Sequence, residues 1–180
     1  NASSKIGLKI EGIYEKSTMS ARSKDGLMPF EGLLYGNLSS NTLVEENGIK
    51  FVVNITESQK TGLFLDQREM RNLIGTYSNG KKVLNCFGYT GGFSLYAKSG
   101  NALSVTTIDI SEPAINQCKL NYEANSFSIG DDDFLAIDAF DFLRSNPLNF
   151  DIIILDPPAF AKKKTDLDKA VKGYAEINRT

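Results

Sequence analysis

From about residue 61 onward, short apolar runs alternate with stretches in which apolar residues recur every three or four positions. The first rhythm is that of strands and the second that of helices with one buried face. Glu69 to Tyr77 predicts a helix. Lys82 to Phe87 predicts a strand, followed by a helix over Gly91 to Lys98. The pattern repeats with a strand over Ser104 to Asp109 and a helix over Glu112 to Asn125. It repeats again with Phe134 to Asp138 and a short helix over Ala139 to Arg144, and closes on a strand over Asp151 to Asp156. Such alternation predicts an α/β fold, a doubly wound and mostly parallel sheet of Rossmann-like type. Ile152-Ile153-Ile154-Leu155 is apolar without interruption, as expected of a strand covered on both faces.

The first third of the chain has a different pattern. Leu8 to Tyr14 alternates like a strand, Glu15 to Gly26 is polar and reads as a loop, and Leu33-Leu34-Tyr35 is a short strand candidate. Asn47-Gly48 stands between Thr42–Glu45 and Ile49–Ile55. Asn-Gly supplies the two positive φ angles of a type I′ turn, so this segment predicts a hairpin with Ile49, Phe51, Val53 and Ile55 on one face. The expected division is a small β-rich domain over residues 1–58 and an α/β domain over 59–180.

Composition narrows the chemistry. The 180 residues are 41% hydrophobic, enough for a core in one domain or in one domain with a small appendage. No apolar run approaches the ~20 residues of a membrane span, and the polar start, Asn1 to Lys5, does not read as a signal peptide. There is no histidine, and the cysteines are two, Cys86 and Cys118. Ser-His-Asp catalysis and histidine-based zinc hydrolysis are therefore excluded, and two thiols alone cannot hold a structural zinc. No metal is expected, and the setting reads as reducing and cytoplasmic. The net charge of −2 counts against nucleic acid as a partner of this chain by itself. Lys60, Arg68, Arg71, Lys81 and Lys82 read as solvated surface. For Lys162-Lys163-Lys164, surface and nucleic-acid contact are equally good readings.

In open parallel sheets, ligands bind beyond the carboxyl ends of the strands. Here the first of the four strands leads into Gly88-Tyr89-Thr90-Gly91-Gly92, the second ends at Asp109, the third at Asp138 and the fourth at Asp156-Pro157-Pro158. Glycines let a backbone approach a ligand closely. An acidic group about 20 residues beyond such a turn can accept from ribose hydroxyls. Asp138 suits an adenine amino group, and Asp156 faces the reaction centre. The glycine spacing matches neither G-x-G-x-x-G nor a P-loop. An adenosine ligand without phosphate, S-adenosylmethionine (SAM), fits better than NAD. Each of these residues could equally be a helix cap or a strand end; their joint placement is what points to a site.

Thr61-Gly62-Leu63-Phe64-Leu65-Asp66-Gln67-Arg68 together with Asn85-Cys86-Phe87-Gly88-Tyr89-Thr90-Gly91-Gly92-Phe93 resembles a family of class I methyltransferases. These are the large-subunit rRNA cytosine-C5 methyltransferases with an N-terminal RNA-binding PUA domain. Asp156-Pro157-Pro158-Ala159-Phe160 and Gly173-Tyr174-Ala175-Glu176-Ile177-Asn178 resemble the same family, and residues 32–36 and 45–48 resemble its β-rich linking domain. The resemblance implies a SAM site. Phe87, Tyr89, Thr90 and Gly91 would line the methionine part, Asp109 and Ile110 the ribose, Asp138 and Ala139 the adenine edge. Asp156, with Pro157, would flank the transferred methyl, with Asp156 the catalytic candidate. Gln67 and Arg68 would lie near the methionine end or the RNA.

The resemblance also implies rRNA as partner, mainly through parts outside this chain. The PUA domain is absent and the expected strands after the fourth are missing, so the chain is expected to be a fragment. Cytosine-C5 methylation needs a thiolate on C6. Cys86, ending a buried strand, and Cys118, in a helix, read as small buried hydrophobes, so the nucleophile is expected beyond Thr180. Three alternatives stay open: amino-group methylation of guanine or adenine through the Asp-Pro-Pro segment, an NAD-dependent oxidoreductase, and a non-catalytic module binding SAM or RNA.

Overall fold

The computed structural model describes residues 7, 9–18, 21–39, 41–56, 58, 62–131, 133–145, 149–161 and 164–179. Two compact units emerge. One comprises residues 1–44 and 53–63, the other 45–52 and 64–180.

In the first unit, β1 (Gly12–Ser17) pairs antiparallel with β2 (Phe30–Gly36). The strand predicted at Leu8–Tyr14 thus lies further along the chain, and the polar stretch read as a loop holds its second half and a single helical turn, Ala21–Lys24. The polar residues there are partnered within the unit. Arg22 pairs with Glu15 at 2.9 Å, and Lys16 Nζ donates to the carbonyls of Thr56 and Ser58 at 2.7 Å. Gly36 (φ 69°) seats the end of the pair, since a Cβ there would stand 1.9 Å from the Glu11 carbonyl oxygen.

β3 (Thr42–Glu46) and β4 (Ile49–Val53) form the predicted hairpin. Asn47 (φ 53°) and Gly48 (φ 80°) take the two positive φ angles, and Ile49, Phe51 and Val53 are buried on one face.

The second unit carries α1 (Arg68–Tyr77), β5 (Lys82–Cys86), α2 (Gly92–Ser99), β6 (Ser104–Asp109), α3 (Glu112–Ala124), β7 (Phe134–Ala136), α4 (Ala139–Ser145), β8 (Ile152–Leu155) and α5 (Leu167–Ile177). The strands form a sheet of order β7-β6-β5-β8, and every pairing is parallel. Alternate residues face opposite sides. Val83, Val105 and Ile154 pack with Ala97 of α2 and Ile74 of α1. Leu84, Cys86 and Ile108 pack with Ala139, Phe142, Leu143 and Ile177 of α4 and α5. The α/β architecture is the one predicted. β7 is shorter than expected, ending at Ala136. β8 contributes to both faces, Ile152 and Ile154 packing on one and Leu155 on the other, with Ile153 39% exposed.

The strand order reverses direction at β5. Successive crossovers run from β5 to β6 to β7, and the next returns to the other side of β5. The carboxyl ends of β5 and β8 therefore flank a topological switch point, where the connections diverge and leave a crevice.

Candidate cofactor site

The loop after β5 is built on α3 and β6. Phe87 (φ 56°), Tyr89 (φ 47°) and Gly91 (φ 78°) all lie in the left-handed region, which side chains other than glycine's enter at a cost and which clusters at functional sites. Tertiary contacts hold this shape. Gly88 N donates to the Ile108 carbonyl (2.9 Å) and Tyr89 N to Asp109 Oδ2 (2.9 Å). Cys118 Sγ donates to the Tyr89 carbonyl (3.1 Å), and Asn121 Nδ2 to the Thr90 carbonyl (2.7 Å). The glycines have a packing reason that differs from the predicted one. A Cβ on Gly88 would meet Thr107 Cγ2 at 2.4 Å, and one on Gly91 would meet Cys118 Sγ at 3.0 Å.

Asp109 and Asp138 each organise their own turn. Asp109 Oδ1 accepts from Ser111 N at 2.9 Å while its other oxygen takes Tyr89 N, so one carboxylate ties the ends of β5 and β6 together. Asp138 Oδ1 accepts from Phe140 N (2.8 Å) and Asp141 N (3.2 Å) at the start of α4. These are capping bonds. A carboxylate offers about four acceptor positions, so both residues retain capacity toward a ligand. Ile110 is 74% exposed after β6, and the Ala139 side chain is buried in the core, which leaves its backbone as the part available to a ligand. The Phe87 ring meets Phe140 edge-on at 6.5 Å, joining the loop to the segment after Asp138.

Asp156 and Pro157 follow β8 at the switch point. The Asp156 carboxyl is held above its ordinary range, first by desolvation and then by the nearby negative charge of Asp66. Asp66 lies in a 3-10 turn, Leu65–Gln67, that leads into α1. The sequence reading missed it while choosing its neighbours Gln67 and Arg68. Arg68 donates to Asn47 Oδ1 at 2.9 Å and so engages the hairpin turn. Phe64, also missed, packs edge-on against Tyr89 at 5.5 Å.

Arg71 corrects the sequence reading, which placed it on the solvated surface. It is 2% exposed and grips Glu46 with two bonds, Nε to Oε1 (2.9 Å) and Nη2 to Oε2 (2.8 Å). Its Nη1 donates to the Phe64 carbonyl at 2.8 Å. The Tyr96 hydroxyl donates to Glu46 Oε1 (2.9 Å); burial, then Glu46, push its pKa up to about 12. Lys60, Lys162 and Lys163 lie outside the described residues.

Both thiols are enclosed as placed. Both cysteines are fully buried, and burial pushes Cys86 up to about 12 and Cys118 further in the same direction. Among the described residues no cluster of His, Cys, Asp or Glu could hold a metal, and no helix is long and apolar enough to cross a membrane.

The donor set fits an adenosine ligand carrying positive charge. Carboxylates stand at or beyond the ends of three strands. The buried Asn85 amide oxygen, on the last turn-ward residues of β5, has no partner among the described residues.

Comparison with known proteins agrees. Residues 31–179 match the S-adenosylmethionine-dependent methyltransferase family. The chain is 44% identical over 170 residues to ribosomal RNA large subunit methyltransferase I of Pseudoalteromonas translucida and 45% identical over 170 residues to that of Aliivibrio fischeri; each match takes in 92% of this chain and 43% of the relative. The chain thus spans less than half the length of these relatives. Among solved structures it resembles the methyltransferase SMU.776, solved with SAH (TM-score 0.69, 34% identity, 82% of this chain and 42% of that one). It also resembles a SAM-dependent methyltransferase of Agrobacterium tumefaciens (TM-score 0.66, 25% identity, 96% and 57%). The match across most of the chain, on a fold whose switch point carries the glycine loop and the strand-end carboxylates, places this chain in the S-adenosylmethionine-dependent methyltransferase family.

Proposed function

We propose that this chain is the cofactor-binding part of an enzyme that methylates C5 of a cytosine in large-subunit rRNA. The observation that carries the cofactor assignment is the set of strand ends at the switch point. The loop Phe87–Gly91 holds the methionine part, Asp109 and Ile110 the ribose, Asp138 and the Ala139 backbone the adenine. Gln67 and Arg68 border the methionine end, and Asp156 and Pro157 border the transferred methyl. SAM supplies a methyl group on a positively charged sulfur. The residues of this chain orient that group and offset its charge; Asp156, held above its ordinary range by desolvation and then by the negative charge of Asp66, borders it.

The rRNA substrate is inferred from the relatives, which are named as large-subunit rRNA methyltransferases. The acidic balance of the chain leaves RNA contact mainly to other parts of the whole protein. Cytosine C5 becomes nucleophilic only after a thiolate adds to C6. Cys86 and Cys118 stay protonated and enclosed, so the thiol belongs to a segment outside these residues, and the whole protein acts in the cytoplasm.

Amino-group methylation is the rival. It calls for an aromatic ring after Asp156-Pro157-Pro158 that is free to stack on a flipped base. Phe160 instead packs on Tyr174 (4.6 Å between centroids) and Phe140 (6.0 Å). Its engagement in this aromatic cluster supports the C5 reading. The test is nucleoside mass spectrometry of large-subunit rRNA treated with the full-length protein and SAM. The expected product is 5-methylcytidine. Methylguanosine or methyladenosine as sole product overturns the cytosine assignment, and no product from the full-length protein overturns catalysis itself.

A further inference from the structure

The hairpin and the cofactor loop share one side chain. β4 pairs with β3 along one edge. Along its other edge, α3 takes the place of a third strand. Asn125 meets both backbone groups of Lys50, accepting from its N–H (2.8 Å) and donating to its carbonyl (2.6 Å). Asn121 Oδ1 accepts from Val52 N (2.7 Å), and Gln117 Nε2 donates to the Val52 carbonyl (2.7 Å). Gln117, Asn121 and Asn125 are spaced four apart, so they stack on one helix face about 6 Å apart. Alternate residues of a strand are about 6.7 Å apart. The two repeats match closely enough for amide side chains to satisfy the backbone groups of β4.

Within this ladder Asn121 alone also reaches the loop. Its Nδ2 donates to the Thr90 carbonyl at 2.7 Å, and the residue is 1% exposed. The two bonds fix the amide's orientation, since exchanging its oxygen and nitrogen would set donor against donor and acceptor against acceptor. Asn125 makes the same kind of bonds to β4, but its remaining bond goes to Asn121 O on its own helix.

We propose that Asn121 is a positioning residue for the cofactor: it makes the shape of the loop Gly88–Gly91, and with it SAM affinity, depend on the seating of β4. This rests on the reading that the loop holds SAM. The hairpin, although remote from the strand ends in sequence, is then part of what defines the cofactor site. Asn125 holds the same edge of β4 without any bond to the loop and serves as the internal control.

The test compares Asn121→Ala, Asn121→Asp and Asn125→Ala with the unaltered chain, by calorimetric titration with SAM and by thermal melting. Both alanine variants should lower the melting temperature. Only the Asn121 variants should weaken SAM binding, by about tenfold, as expected for one lost buried hydrogen bond to the loop. Asn121→Asp keeps an acceptor for Val52 N and removes the donor to Thr90, so it isolates the loop half of the bridge. Equal SAM affinity in Asn121→Ala and Asn125→Ala overturns the proposal. A second measurement needs no variant. Saturating SAM should slow amide hydrogen exchange at Val52, which donates to Asn121, more than at Lys50, which donates to Asn125. Equal slowing at both overturns it as well. Failure of the unaltered chain to bind SAM would instead remove the cofactor reading on which the proposal stands.

Discussion

At the scale of single residues, the two cysteines show how burial decides chemistry. An unfolded thiol ionises near 9, whereas folded Cys86 keeps its proton up to about 12. The folded state therefore binds more protons between those values. The resulting stability is full below pH 9 and is lost as pH rises toward 12. Cys118 and Tyr122 are shifted upward too, also chiefly by desolvation, and act with the same sign. Each group contributes about 1.4 kcal/mol per pH unit across its window. Cys86→Ser should flatten the fall of unfolding free energy above pH 9 by about that slope, read from urea midpoints at successive pH values, and leave methyl transfer by the full-length protein intact. An unchanged slope contradicts the burial argument, and loss of activity with SAM affinity intact contradicts the assignment of the nucleophile elsewhere. The positions of Asp109 and Asp156 were legible because strand ends can be read from periodicity, whereas Asp138 falls two residues beyond its strand, at the start of the next helix. The partners of these aspartates were not legible. That Asp109 takes Tyr89 N, or that Gly88 is required by Thr107, depends on a neighbouring strand whose register no local pattern specifies.

At the scale of elements, α1 and the hairpin are joined by a charge pair that the sequence conceals. Arg71 and Glu46 are 25 residues apart, and a lone arginine in a helix looks like any solvated one. Here the pair is buried and made by a two-pronged guanidinium contact, with Phe51 packed against Arg71 at 5.8 Å. Breaking such a pair from one side strands a charge in the interior, at a cost of roughly 3–5 kcal/mol. Arg71→Met should show a loss of that order in urea unfolding, and Arg71→Lys should recover only part of it, because an ammonium cannot make both bonds or reach the Phe64 carbonyl at once. Arg71→Met with Glu46→Leu should recover more than either, since no buried charge then remains unpaired. A single-variant cost below about 1 kcal/mol contradicts this account. The helices and parallel strands themselves were readable because their periods are intrinsic. β1 was misplaced because antiparallel pairing with β2, with a bulge between Ile13 and Tyr14, sets its limits. Gln117, Asn121 and Asn125 recur every four residues, but nothing local says that this face of the helix meets a strand edge.

At the scale of the whole molecule, the fold lets the charge of Asp66 act on Asp156, although about half the chain separates them. The alternation of elements predicted a parallel sheet; that β8 returns beside β5, and so opens a crevice at their ends, is a property of the assembled sheet alone. Desolvation, and then the negative charge of Asp66, raise the energy of the charged form of Asp156. In the proposed arrangement a sulfonium beside Asp156 offsets this, while the neutral thioether of S-adenosylhomocysteine (SAH) does not. The site should therefore prefer SAM over SAH by electrostatics, even though the two ligands differ by one methyl group. Asp156→Asn should lower the ratio of SAM to SAH affinity by about tenfold, equivalent to about 1.4 kcal/mol, and Asp66→Asn should lower it in the same direction. SAH affinity should stay within about threefold, because removing a charge that SAH does not use costs it little beyond local packing. Acidification should act like the substitution and begin above the ordinary carboxylate range, since Asp156 takes up its proton earlier than an exposed aspartate. Parallel calorimetric titrations with the two ligands read all of this directly. Equal losses for SAM and SAH would mean that Asp156 holds the adenosine or the methionine tail, and the methyl would then have to lie elsewhere along the crevice.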